Sequence, residues 1–95
     1  MYGTIFSMKV KSGHHEQLLK VLQESDNQAD GMVAWFLMDP DEKDELIGVA
    51  IFDSKDAHLA NANRPEQHEF FTNVMKHLEN EPSWTDGEYL IGEIL

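Results

Sequence analysis

The sequence predicts a single α+β domain, with helices on one face of an antiparallel sheet and the order β-α-β-β-α-β. Three observations carry this expectation. The stretches Met32–Met38 (MVAWFLM) and Leu46–Phe52 (LIGVAIF) have strand length and are apolar on both faces. Apolar residues recur at helical spacing in two other segments, before and after them. The length, 95 residues, is enough for one domain only.

In the first stretch Met32, Ala34, Phe36 and Met38 alternate with Val33, Trp35 and Leu37. In the second, Leu46, Gly48, Ala50 and Phe52 alternate with Ile47, Val49 and Ile51. A sheet wetted on one side would alternate apolar with polar, so both faces are expected to be covered. The chain's own helices supply one cover. The other face, near Trp35, Val49 and Ile51, needs a second sheet, and a symmetric homodimer is its simplest source.

The elements follow in order. Tyr2–Val10 reads as a strand, with Tyr2, Thr4, Phe6, Met8 and Val10 on one side. Ser12-Gly13 breaks it and can cap a helix that has Glu16 in its first turn. Leu18, Leu19, Val21 and Leu22 form the stripe of that helix, which is expected to end near Asp26–Asp30. Gly31 opens the second strand, and the polar loop Asp39–Asp44 joins it to the third as a hairpin. Ser54 is an N-cap candidate, with Asp56 in the first turn. The following helix is broken at Asn61–Arg64, and Pro65 suits the first turn of a new one. Phe70, Phe71, Val74, Met75 and Leu78 mark its buried stripe. Glu81–Gly87 reads as a turn-rich linker and Glu88–Leu95 as the last strand. This order is the ferredoxin-like arrangement.

Composition removes several function classes. The formal charge is −11, from 18 acidic and 7 basic residues, and Arg64 is the only arginine. Nucleic acid and anionic membranes both require clustered basic surface. No apolar run approaches the roughly 18 residues of a membrane span, and Met1–Lys11 has no cleavable signal pattern, so the expected location is cytoplasmic. The absence of cysteine excludes disulfides, thiolate zinc sites and cysteine nucleophiles. Phosphate-binding glycine loops, the G-x-S-x-G elbow and H-E-x-x-H are missing. The acidic loop Asp39–Glu45 lacks the calcium-loop spacing.

Ile51-Phe52-Asp53-Ser54-Lys55-Asp56-Ala57, then Ala60-Asn61-Ala62-Asn63-Arg64-Pro65-Glu66-Gln67-His68-Glu69-Phe70-Phe71, and the late Trp84-Thr85-Asp86-Gly87 resemble the antibiotic biosynthesis monooxygenase-like domains of the dimeric α/β-barrel superfamily. The resemblance spans nearly the whole chain. It implies a homodimer with a pocket between each sheet and the helical break. It also implies a cofactor-independent monooxygenase acting on a small aromatic, quinol-like substrate. Two alternatives share the scaffold: a non-catalytic ligand-binding or stress-response protein, and a haem-binding member. A histidine stands near the place of Asn61 in many family members, and this chain departs from that pattern.

His68 is the first candidate catalytic residue. At about 100° per residue it lies roughly 90° from the centre of the apolar stripe, beside Phe71 and Met75. Imidazole suits proton removal from a phenol near neutral pH; the alternative is a half-buried histidine satisfied by a hydrogen bond. Asn61, Asn63 and Arg64 surround the break and can hold a carbonyl or a developing anion. They can equally stabilise the turn. Trp35 can stack on a flat ligand from the barrel interior, or simply pack. Phe71 and Tyr89 complete the candidate substrate-binding set, and Trp84 is a candidate dimer anchor.

The other histidines carry less. His14 and His15 are adjacent at a helix start and read as solvated. His58 has no acidic residue at i+3 or i+4, and His77 reads as surface. No set of ligands for a metal is expected. For haem, His68 or His77 would be the axial donor, but the scarcity of cations to hold propionates makes haem the lesser ligand.

Overall fold

The computed structural model describes residues 1–24 and 29–95. Its elements are β1 (Tyr2–Met8), α1 (His15–Glu24), β2 (Met32–Met38), β3 (Leu46–Phe52), α2 (Lys55–Ala62), α3 (Pro65–Met75) and β4 (Ser83–Glu88). The sheet is antiparallel with strand order β2-β3-β1-β4. This is the α+β, ferredoxin-like architecture expected from the sequence. The expected end of the first helix, near Asp26–Asp30, falls largely on residues outside the described set. No described helix is long and apolar enough to cross a membrane.

Local chemistry sets the boundaries. Ser54 caps α2, its Oγ accepting from the Ala57 N–H at 3.1 Å. Asn63 ends that helix, and Pro65 begins α3 at a position where its missing N–H costs nothing. Gly31 enters β2 with φ +82, where its Cα packs so near Ala57 that a side chain would clash.

The helix-facing side of the sheet carries two apolar clusters. Met8, Val10, Leu18, Leu46, Val74 and Leu78 form one; Ala29, Ala50 and Phe52 form the other. Leu18 and Phe52 are the largest fully buried side chains among the described residues.

Two expectations about the strands need correction. The first concerns Trp35. A β-bulge between Met32 and Ala34 inserts Val33 as an extra residue. Trp35 then pairs with Ala50 and Leu37 with Gly48, so both lie over the helix side with Met32. Val49 and Ile51 are on the opposite face, with Phe36 and Ala34 as their partners. Trp35 therefore does not share the bare face with them.

The second concerns the last strand. It is Ser83–Glu88, not Glu88–Leu95, and the presumed linker is the strand. Residue 88 pairs with Tyr2 at the start of β1, and one further bond runs from the Tyr89 N–H to the Met1 carbonyl. The apolar side chains of Leu90, Ile91, Ile94 and Leu95 are almost fully exposed.

The bare face has a central row running Phe36, Val49, Ile5 across three strands. Phe36 and Met38 are 65% and 60% exposed, far more than aromatic and sulfur side chains on a finished surface.

Candidate functional site

Between the sheet and the α2–α3 break lies a cavity of about 460 Å³, a size typical of small-molecule sites. Its walls are largely apolar, and Trp35, Phe52, Phe70, Phe71 and Trp84 contribute rings, with Phe6 between them. Phe6 rests over Gly48, where any Cβ would run into the ring. From there Phe6 meets Trp84 at 5.1 Å between centroids, and Trp84 meets Phe71 at 6.1 Å. Its polar groups are few: Thr4, His58, Asn61, Gln67, His68 and Asp86.

Asn61 and His68 stand on either side of the break, Asn61 in the last turn of α2 and His68 in the first turn of α3, and both line the cavity. Arg64 donates from Nη1 to the Asn61 Oδ1 at 3.1 Å and lies 3.7 Å from Glu66 through Nε. That bond fixes the amide orientation and leaves the Asn61 Nδ2 hydrogens for a ligand oxygen. His68 is exposed at the cavity wall.

The sequence candidates divide accordingly. Asn61, His68, Trp35 and Phe71 line the cavity together. Arg64 acts one step back, through Asn61. Asn63 is exposed and spends its backbone N–H on the Asn61 and Leu59 carbonyls, so it belongs to the turn. Tyr89 lies on the other face of the sheet, its ring beside Gly3, and its hydroxyl donates to the Ala50 or Thr4 carbonyl at 3.2 or 3.3 Å. It bridges the two central strands, β1 and β3, and is not part of the cavity lining.

Burial raises the Tyr89 hydroxyl above its ordinary 10.0. The folded state thus favours the neutral phenol, while the unfolded chain ionises first. Stability is expected to be unaffected below about pH 10 and to fall as pH rises past it. Urea titrations on both sides of that pH check this, and Tyr89→Phe is expected to flatten the alkaline loss.

Three residues of the cavity escaped sequence reasoning. Trp84 and Asp86 sit on a strand read as a linker. His58 reaches Asp86 across the fold, Nε2 to Oδ1 at 4.0 Å, a partner that a search for acids one helical turn away does not find. A second pairing was also missed: His14 and His77, expected to be solvated and at the surface, meet through Nδ1 atoms 3.0 Å apart. No set of three or more His, Asp or Glu side chains among the described residues is placed to hold a metal ion. Haem fits the cavity poorly, because its lining includes Asp86 and no lysine or arginine to meet propionates. His77, tied to His14, is not part of the lining.

No protein-family model matches the chain, and no curated protein matches it at a significant level. Solved structures do. SnoaB, a cofactor-independent oxygenase from Streptomyces nogalater, is 14% identical with a TM-score of 0.76, covering 97% of each chain. A Caulobacter crescentus protein provisionally named an antibiotic biosynthesis monooxygenase is 12% identical with a TM-score of 0.81, covering 95% of this chain and 90% of that one. A similarly named Chloroflexus aurantiacus protein is 21% identical with a TM-score of 0.71, covering 96% of each. The chain therefore has the ferredoxin-like fold of the antibiotic biosynthesis monooxygenase proteins.

Proposed function

We propose that this protein is a cofactor-independent monooxygenase acting on a small aromatic, quinol-like substrate. The observation that supports it is that His68 and Asn61, on opposite sides of one helical break, line the same largely apolar cavity. A flat ring stacks on Trp35 and Phe71. His68 takes the proton of a ring hydroxyl, which raises electron density on the ring and favours electron transfer to dioxygen. Asn61, held by Arg64, donates to an oxygen that gains charge. Overall a phenol ring and one dioxygen give a quinone and one water, so no further reductant is needed.

The working unit in this reading is a homodimer that covers the bare face around Phe36, Val49 and Ile5. A second reading, a ligand-binding protein without turnover, is favoured by one observation. No described side chain holds the His68 imidazole in place, whereas a base is usually oriented by a third group. Oxygen uptake decides between them. Metal-free protein is expected to consume oxygen with a hydroquinone panel, and His68→Ala is expected to lower kcat by about 10²–10⁴-fold. Tight ligand binding with no uptake would favour the second reading.

A further inference from the structure

His58 is costly where it stands. It projects from α2 against Phe52, 5.2 Å between ring centroids, and Tyr2, 5.4 Å. Its Nδ1 is buried without a hydrogen-bond partner. A buried polar atom left unpaired is destabilising, and an aliphatic residue would avoid it, so the imidazole calls for an explanation beyond packing. The other nitrogen, Nε2, faces Asp86 Oδ1 on β4 at 4.0 Å. That gap is too long for a hydrogen bond. Both residues line the cavity. An oxygen placed about 2.8 Å from each would bridge them with an angle near 90°. Among the described residues, the other titratable group packed here is Tyr2, whose ring the Lys55 ammonium overlies at 5.9 Å, and no second carboxylate is paired with His58.

We infer that His58 and Asp86 form a hydroxyl-recognition pair in the cavity, selective for a phenolic O–H over an ether or ketone oxygen. The inference takes from the proposed function only that the ligand is an aromatic compound bearing oxygen. Asp86 favours the tautomer with its proton on Nε2, which leaves the buried Nδ1 as a bare acceptor. Nε2–H then donates to the ligand oxygen, and that oxygen donates its own proton to Asp86 Oδ1. Only a hydroxyl meets both demands. An ether or ketone oxygen would accept from His58 and set its lone pairs against the carboxylate. Discrimination of this kind comes from the polar groups left unpaired by the wrong ligand.

The test is binding of 2-naphthol against 2-methoxynaphthalene by calorimetry, without turnover. The Asp86 side chain is 50% exposed, so water screens part of the loss, and the wild type is expected to prefer the naphthol by about fivefold to tenfold. Asp86→Val and His58→Leu are each expected to bring the two affinities within about twofold. His58→Leu is also expected to melt no lower than the wild type, because it removes the unpartnered nitrogen. Equal wild-type affinities, no binding of 2-naphthol, or discrimination that survives both variants would overturn the inference. A clearly lower melting temperature for His58→Leu would do so too, by showing that the ring is kept for packing. Discrimination without oxygen uptake would sink the oxygenase reading alone; uptake without discrimination would sink the pair alone.

Discussion

Phe52→Ala is expected to destabilise the domain by about 3–5 kcal/mol. A domain of this size has a total stability of only about 5–15 kcal/mol, so the variant sits at the edge of folding at 25 °C. Phe52 is 2% exposed and anchors the smaller of the two apolar clusters, with Ala29 and Ala50. That cluster lacks the depth of the other, so few large neighbours can collapse into the gap. The same ring packs edge-on to His58 and forms part of the cavity wall. Denaturant unfolding measures the loss. Aromatic ligands are also expected to bind Phe52→Ala poorly under conditions where it remains folded. A loss below about 1 kcal/mol would mean that the cavity already provides the slack.

Phe36→Asp is expected to convert a homodimer into a folded monomer. The row Phe36, Val49, Ile5 lies at the middle of the sheet face that no helix covers, and Phe36 is 65% exposed in the single chain. A central aromatic at an interface is commonly worth 2 kcal/mol or more, about 30-fold in Kd, and a buried, unpaired carboxylate adds to the loss. Sedimentation of both forms checks this. The wild type is expected at dimer mass, the variant at monomer mass with an unchanged far-UV spectrum. Because Phe36 is on the sheet face away from the cavity, ligand binding separates the two possible roles of the dimer. Retained affinity in the monomer means that each cavity is complete on its own.

Much of the fold was legible because its signals are local. The Ser54 cap, the Pro65 restart and the doubly apolar β3 each follow from a few neighbouring residues. The division of β3 into Leu46, Gly48, Ala50, Phe52 and Ile47, Val49, Ile51 matches the two observed faces. The side assigned to Trp35 failed because a bulge shifts the parity of a strand, and nothing in MVAWFLM marks which residue is extra. Strand β4 was misplaced for a related reason. It is an edge strand held by main-chain bonds to β1, and its side chains (Ser83, Asp86, Glu88 among them) carry no apolar alternation. Its register depends on where β1 begins, which is information from the other end of the chain.

The site followed the same rule. Asn61 and His68 are near in sequence with a visible break between them, the pocket at that break was implied by the family resemblance, and both residues line the cavity. His58 and Asp86 meet because α2 packs on the central strands β1 and β3 and β4 lies next to β1. A search for acids at helical spacing has no access to such a pair. Tyr89 was misassigned with the strand that carried it.

In the proposed function the cavity oxidises a phenolic ring with dioxygen and no bound metal or organic cofactor. The most direct measurement is oxygen consumption by chelator-treated protein with a panel of hydroquinones, for the wild type and His68→Ala side by side. Protein-dependent uptake is expected to be insensitive to chelator and to fall about 10²–10⁴-fold in the variant. No uptake by the wild type, or equal uptake by the two proteins, would contradict it.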